Sequence, residues 1–229
     1  MIINLLCDNK KSWFWDTNKI FIEKLTELGH VVNIAKSEDE LKEGDIAAFI
    51  SSLKIVTKDG LSKNKSNVVP HPSNLPEGRG FAPITWEVLN DKNELYFTLF
   101  EANEKIDDGK IYYKENVQLS GNELGQDLRE IQAEKTYELI LRYVNEYPNV
   151  EGVEQNGDAT YFPRRYPKDS ELNINESLKS QFNLLRVVDN ENYPAFFVID
   201  GTKYILKIYK DDEKSVSYTH LTLPTKVTV

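Results

Sequence analysis

The sequence predicts an α/β fold with a mostly parallel sheet flanked by helices and a small β-rich appendage toward the C-terminal side. Three observations lead there. Short apolar runs at Ile2 to Leu6, Val31 to Ala35 and Ile46 to Ile50 have the length and continuity of strands buried on both faces. A helical pattern separates the first two, so the order is β-α-β-β. Beyond Val150 the pattern changes to shorter strands with a hairpin signal.

Taken in order, Asp8-Asn9-Lys10-Lys11 breaks the first strand, and a helix is expected from about Asp16 to Leu28. Ile20, Phe21, Leu25 and Leu28 mark its apolar face, Asp16 or Thr17 its cap, and Gly29 its stop. A charged segment, Glu38 to Glu43, leads to the third strand. Asn67 to Val69, Tyr96 to Phe100 and Ile111 to Tyr113 read as further strands. Gly121 to Tyr147 holds a long helix whose stripe is Leu124, Leu128, Ile131, Leu139 and Tyr143, ended by Pro148. Phe162-Pro163-Arg164-Arg165-Tyr166-Pro167 is a proline-punctuated loop. Leu184 to Val188, Ala195 to Ile199 and Tyr204 to Ile208 read as three strands, with Asp200-Gly201 as a hairpin turn. This organisation suggests a domain over 1–150 and a smaller region over 151–214. Val216 to Thr225, VSYTHLTLPT, resembles the conceptual translation of a sequencing-library adapter, so 215–229 is expected to be an artefact; a natural β-rich tail is the alternative.

Composition narrows the function. Of 229 residues 40% are hydrophobic and 11% aromatic, enough for a real core. The net charge of -9 disfavours a broad nucleic-acid footprint, while leaving room for a local basic pocket. The single cysteine, Cys7, ends an apolar run and reads as a core residue in a reducing compartment. The first residues lack the long apolar stretch of a signal peptide, and no run approaches the ~20 apolar residues of a membrane span. The expectation is a soluble, cytoplasmic protein with no membrane partner.

Ligand sites in open α/β sheets form at the carboxyl ends of the strands. Here those ends are Asp8 to Trp15, Ser51 to Leu53, and the segment from Pro70 onward. The last, Val69-Pro70-His71-Pro72-Ser73-Asn74-Leu75-Pro76-Glu77-Gly78-Arg79-Gly80-Phe81-Ala82-Pro83, runs from a strand into a proline-stiffened loop. Gly78 and Gly80 flank Arg79, which lets backbone approach a ligand beside a cation. A rigid loop presenting His71 suits proton transfer or oxyanion stabilisation; a surface loop with a solvated histidine fits the composition as well.

The string HPSNLPEGRGFAP resembles the signature of the folate-dependent, methionyl-tRNA formyltransferase-like superfamily: a histidine, then a serine, a leucine-proline pair and an arginine-glycine pair. Glu104-Lys105-Ile106-Asp107-Asp108-Gly109-Lys110-Ile111 resembles its second signature, an Asp-x-Gly-x-Ile run. The resemblance covers Ile2 to about Tyr147. It implies a Rossmann-like formyltransferase fold, 10-formyltetrahydrofolate as formyl donor, and no metal. It also implies His71 and Asp107 as the catalytic pair, with Ser52, Leu53, Phe100 and Glu101 at the folate. One position departs from the pattern. The family asparagine two residues before the histidine, whose amide helps hold the oxyanion, is Val69 here. Asn67 would need a shifted register to replace it, and Asn74 lies on the loop.

The superfamily's acceptors include methionyl-tRNA, glycinamide ribonucleotide and nucleotide-linked amino sugars. The loop from Asp8 to Trp15 has no glycine for a backbone phosphate cradle, but it offers Lys10, Lys11, Trp13 and Trp15. The aromatics suit stacking on a sugar or base, and equally suit packing of the first helix onto the sheet. Lys10, Trp13, Trp15, Ser73, Asn74, Arg79 and Gly80 are the residues expected at the acceptor. The whole chain, Arg164-Arg165 included, most resembles the nucleotide-sugar N-formyltransferase branch. That branch implies a small-molecule partner and allows a homodimer. A methionyl-tRNA-type enzyme and a non-catalytic folate or nucleotide-sugar binding module are the alternatives.

Overall fold

The computed structural model describes residues 1–211, so the tail reading of 215–229 lies outside the described residues. Strands β1 (Ile2–Leu6), β2 (Val31–Ala35), β3 (Gly44–Phe49) and β4 (Asn64–His71) run parallel. Strands β6 (Glu94–Glu101) and β7 (Ile111–Gln118) extend the same sheet antiparallel, giving the order β2-β1-β3-β4-β6-β7. The parallel interior explains two of the apolar runs: Ile3, Leu5, Ile46, Ala48 and Val68 face one core with no exposure, and Leu6, Ala47 and Phe49 face a second. Strand β2, expected to be buried on both faces, is instead the edge strand, with Val31 and Ile34 exposed.

Helix α1 (Phe14–Glu27) starts before the expected Asp16. Neither Asp16 nor Thr17 caps it; Ser12 Oγ accepts the Phe14 N–H at 3.2 Å, and Thr17 Oγ1 bonds back to the Trp13 carbonyl at 3.1 Å. Its buried face is Phe14, Phe21 and Leu25, while Ile20 and Leu28 point outward at 78% and 51% exposure. The stop is as expected, with Gly29 at φ +82°. Between β3 and β6 lie α2 (Lys58–Ser62), the two-residue β5 (Arg79–Gly80) and α3 (Pro83–Leu89), none of which the sequence pattern announces. Helix α4 (Gly125–Glu146) buries Leu128, Leu139, Ile140, Tyr143 and Val144 against the main core. No described helix is long and apolar enough to cross a membrane.

After α4 the chain returns toward the β4 loop. Strand β8 (Tyr161–Phe162) pairs in parallel with β5, and Ile111 pairs with Val153. The expected strand from Leu184 to Val188 is instead a short helix, α5 (Phe182–Arg186). Arg186 in that run is 2% exposed and meets Glu123 at 3.1 Å, so tertiary pairing overrides the strand propensity of its apolar neighbours. Strands β9 (Ala195–Ile199) and β10 (Thr202–Leu206) form the expected hairpin, with Asp200 and Gly201 both at positive φ.

Candidate active site

The β4 strand places three side chains on one face, two residues apart: Asn67, Val69 and His71. His71 is the last residue of the strand and is 8% exposed. Its Nε2 lies 2.9 Å from the Gly78 carbonyl. A carbonyl can only accept, so the neutral ring carries its proton on Nε2. Phe100, beside Val69 on β6, stands edge-on to the imidazole at 6.5 Å. The loop beyond is pinned from behind: Ser73 N–H donates to the His71 carbonyl at 2.9 Å, and Thr98 Oγ1 donates to the Ser73 carbonyl at 2.7 Å.

Asp107 arrives from the β6–β7 connection. Its Oδ2 accepts the Gly80 N–H at 2.8 Å and lies 3.7 Å from His71 Nε2. Two residues on, the backbone is tightly constrained, since a Cβ on Gly109 would meet the Glu101 carbonyl at 1.7 Å. At 3.7 Å the carboxylate does not hydrogen-bond a neutral imidazole, but it opposes the charge that appears when the ring takes a second proton. The pair can therefore accept a proton and stabilise the cation that results.

Both residues open onto one cleft of about 1140 Å³. Lys11, Lys54, Lys105, Arg129, Arg164 and Arg165 line it, against the acidic pair Asp107 and Asp189. A protein of net charge -9 thus concentrates cations where a ligand would enter. The wall also carries unusually exposed apolar groups: Leu53, Ile55, Phe81 and Ile106 are 43%, 50%, 37% and 48% exposed. Five described non-glycine residues have positive φ, and three of them, Ser51, Ala82 and Asp107, line this cleft, as strained backbone at functional sites tends to. Among the described residues no group of three or more His, Cys, Asp or Glu is placed to hold a metal ion.

No family model matches the chain. By sequence it is 25% identical over 212 residues to the methionyl-tRNA formyltransferase of Malacoplasma penetrans, covering 90% of this chain and 67% of that protein. Coverage of two further methionyl-tRNA formyltransferases is 47% and 49%, so the chain spans about half to two thirds of the length of the curated relatives it matches. Among solved structures, a methionyl-tRNA formyltransferase from Clostridium thermocellum superposes with a TM-score of 0.77 at 21% identity, covering 93% of this chain and 94% of that one. A sugar N-formyltransferase from Shewanella sp. gives 0.66 at 18% identity, covering 91% and 97%. HypX from Aquifex aeolicus, solved with tetrahydrofolic acid, gives 0.67 at 15% identity over 90% of this chain and 37% of that one.

In sequence and fold the chain is similar to the formyltransferases.

Against the signature that the chain resembles, the departure at Val69 takes on a definite form. Val69 lines the cleft and packs against the apolar cluster of Leu6, Ala47 and Phe49. Neither nearby asparagine substitutes for the missing amide. Asn67 Nδ2 donates to the Leu61 carbonyl at 2.9 Å and lies four strand residues, ~13 Å, from His71. Asn74 Oδ1 accepts from Lys114 Nζ at 2.8 Å.

The other sequence-named positions divide between cleft and surroundings. Ser52, Leu53, Phe100, Trp13 and Gly80 line the cleft, and the Leu53 N–H is tied to Asp8 at 2.6 Å. Glu101 is exposed outside it, with its N–H on the Lys110 carbonyl. Lys10 is exposed outside the lining, whereas Lys11 lines it. Trp15 turns away, donating from Nε1 to the Asn9 carbonyl at 2.8 Å with Lys36 over its ring. Ser73 is buried, and Arg79 is buried in a pair with Asp108 at 2.6 Å that lowers the Asp108 pKa. Sequence reading missed Ile55, Phe81 and Ile106; apolar residues beside strand-end loops were the available signal. It also missed Gln155, for which the sequence offers none.

Proposed function

We propose that the chain transfers a formyl group from 10-formyltetrahydrofolate to the amine of a nucleotide-linked amino sugar. The observation that carries this reading is the His71–Asp107 pair, 3.7 Å apart at a cleft walled by exposed apolar side chains and six cations. The fit to the donor rests on the same wall: Leu53, Ile55, Phe100 and Ile106 suit a flat heterocycle, and Lys54 and Lys105 suit carboxylates. The donor supplies a formyl carbon open to attack by an amine. When the amine nitrogen bonds to that carbon it becomes acidic. His71 takes its proton, and Asp107 opposes the charge that forms on the ring. The proton passes to the departing nitrogen as the bond from that nitrogen to the formyl carbon breaks. The Val69 side chain contributes no donor to the oxyanion; Ser51, Ser52, Asn103 and Gln132 are among the cleft amides and hydroxyls available for that task.

A phosphorylated acceptor of modest size suits the cationic cleft, and the acidic overall charge opposes a long RNA. The superposition on a sugar N-formyltransferase across 97% of its length is consistent with this acceptor class. Methionyl-tRNA is the second reading, favoured by the sequence relatives. The test is incubation with 10-formyltetrahydrofolate and either a panel of nucleotide-linked amino sugars or charged initiator methionyl-tRNA, followed by mass analysis of the acceptor. Formylation of a nucleotide sugar supports the reading; formylation of the tRNA alone replaces it; no formylation with detectable folate binding leaves a binding module.

A further inference from the structure

Asp107 sits on a turn that its backbone disfavours. Its φ is +48°, in the left-handed region that suits glycine. The carbonyls of Asp107 and Gly109 both accept from Nε2 of Gln155, each at 2.9 Å. Gln155 lies 48 residues further along the chain, between α4 and β8, and its side chain does not line the cleft. Its Oε1 accepts from an Arg79 terminal nitrogen at 2.7 Å, and the same nitrogen meets Asp108 at 2.6 Å. Arg79 immediately precedes Gly80, whose N–H holds the Asp107 carboxylate. One side chain therefore joins both partners of the Asp107–Gly80 hydrogen bond. A primary amide is what this arrangement demands: two N–H groups for two carbonyls, and one oxygen for a guanidinium.

We infer that Gln155 is a positioning residue for Asp107, fixing the turn over 107–109 so that the carboxylate faces His71. The inference rests on the reading of Asp107 as half of the formyl-transfer pair. Gln155 touches neither reacting atoms nor ligand; it acts through the turn. A carboxylate at 155 would match the shape and pair better with Arg79, yet it has no hydrogen to give the two carbonyls. Geometry and charge thus make opposite demands at this position, and that makes the role testable.

The experiment compares Gln155→Met, Gln155→Glu, Asp107→Asn and the Gln155→Met/Asp107→Asn double variant of the full chain. It measures turnover, KM for each substrate, melting temperature, and hydrogen exchange of the Gly80 amide by NMR. Gln155→Met is expected to lower kcat by about ten- to a hundredfold with KM values within about twofold, and to speed Gly80 exchange. Gln155→Glu should lose at least as much kcat despite its better charge match. In the Asp107→Asn background, Gln155→Met should cost less than about a further twofold. Unchanged kcat and unchanged Gly80 exchange in Gln155→Met, wild-type kcat in Gln155→Glu, or fully multiplicative losses in the double variant would each overturn the inference. Wild-type turnover in Asp107→Asn, or no formyl transfer by the parent, would instead remove the reading of Asp107, while Gly80 exchange would still report whether Gln155 holds the turn.

Discussion

A single carboxylate oxygen of Asp107 links two strand ends: it accepts the Gly80 N–H at 2.8 Å and stands 3.7 Å from His71 Nε2. His71→Ala and Asp107→Asn are each expected to reduce formyl transfer by about a hundred- to ten-thousandfold. His71 is a buried strand residue, so its removal should also lower the melting temperature by a few degrees, about 1 kcal/mol. Asp107→Asn keeps the shape of the turn and should melt within about 2 °C of the parent. Turnover at the parental rate in either purified variant would remove the pair from the chemistry.

Val69→Asn should preserve or raise turnover. It restores an amide two residues before His71 on the cleft-facing side of β4. The cost is bounded by burying an imperfectly paired amide, ~1 to 3 kcal/mol. A much larger loss of stability, read from denaturant unfolding, would mark Val69 as plain core and place the oxyanion elsewhere.

Arg164 is exposed on the cleft wall, its guanidinium 4.8 Å from the Phe81 ring centre. Arg164→Glu should raise KM for an anionic substrate about tenfold with little change in kcat, and the parental KM should itself rise with salt. A KM indifferent to both charge and salt would mean that the cations serve the fold and not the ligand.

Acid should destabilise the protein through Glu123. Burial alone would raise its pKa, but the Ser120 hydroxyl and amide and the Gly121 amide outweigh burial and hold it at about 2, below the usual 4.5. A depressed carboxylate stabilises the fold above its unfolded pKa, and that contribution is lost as pH falls from about 4.5 toward 2. Glu123→Gln should flatten the fall in melting temperature across that window. At neutral pH it should cost up to ~3 kcal/mol, because the buried Arg186 guanidinium loses the carboxylate charge opposite it. An unchanged acid slope would show that other carboxylates, Asp189 among them, carry the effect.

The strands were legible where apolar and β-branched residues cluster: β1, β2 and β9 fall within the runs Ile2 to Leu6, Val31 to Ala35 and Ala195 to Ile199. The run at Leu184 to Val188 misled, since a short apolar stretch has no period of its own and Arg186 settles it through Glu123, 63 residues away. His71 and Asp107 were visible because each sits in a signature string. Which face of a loop a side chain takes was not visible: Trp13 reaches the cleft while Trp15, two residues on, bonds to Asn9. Gln155 was silent because its role exists only once distant turns meet.

The pairing of β8 with β5 has a consequence for biosynthesis. As the chain leaves the ribosome, His71 and Asp107 emerge well before Gln155, Tyr161 and Phe162. Until those last residues are out, Arg79–Gly80 has no strand partner and the carbonyls of 107 and 109 have no donor. Nascent chains arrested shortly after α4 would hold both halves of the pair yet lack the segment that brings them into register. Competence for formyl transfer is therefore expected to appear late in synthesis, after the six-stranded sheet is complete.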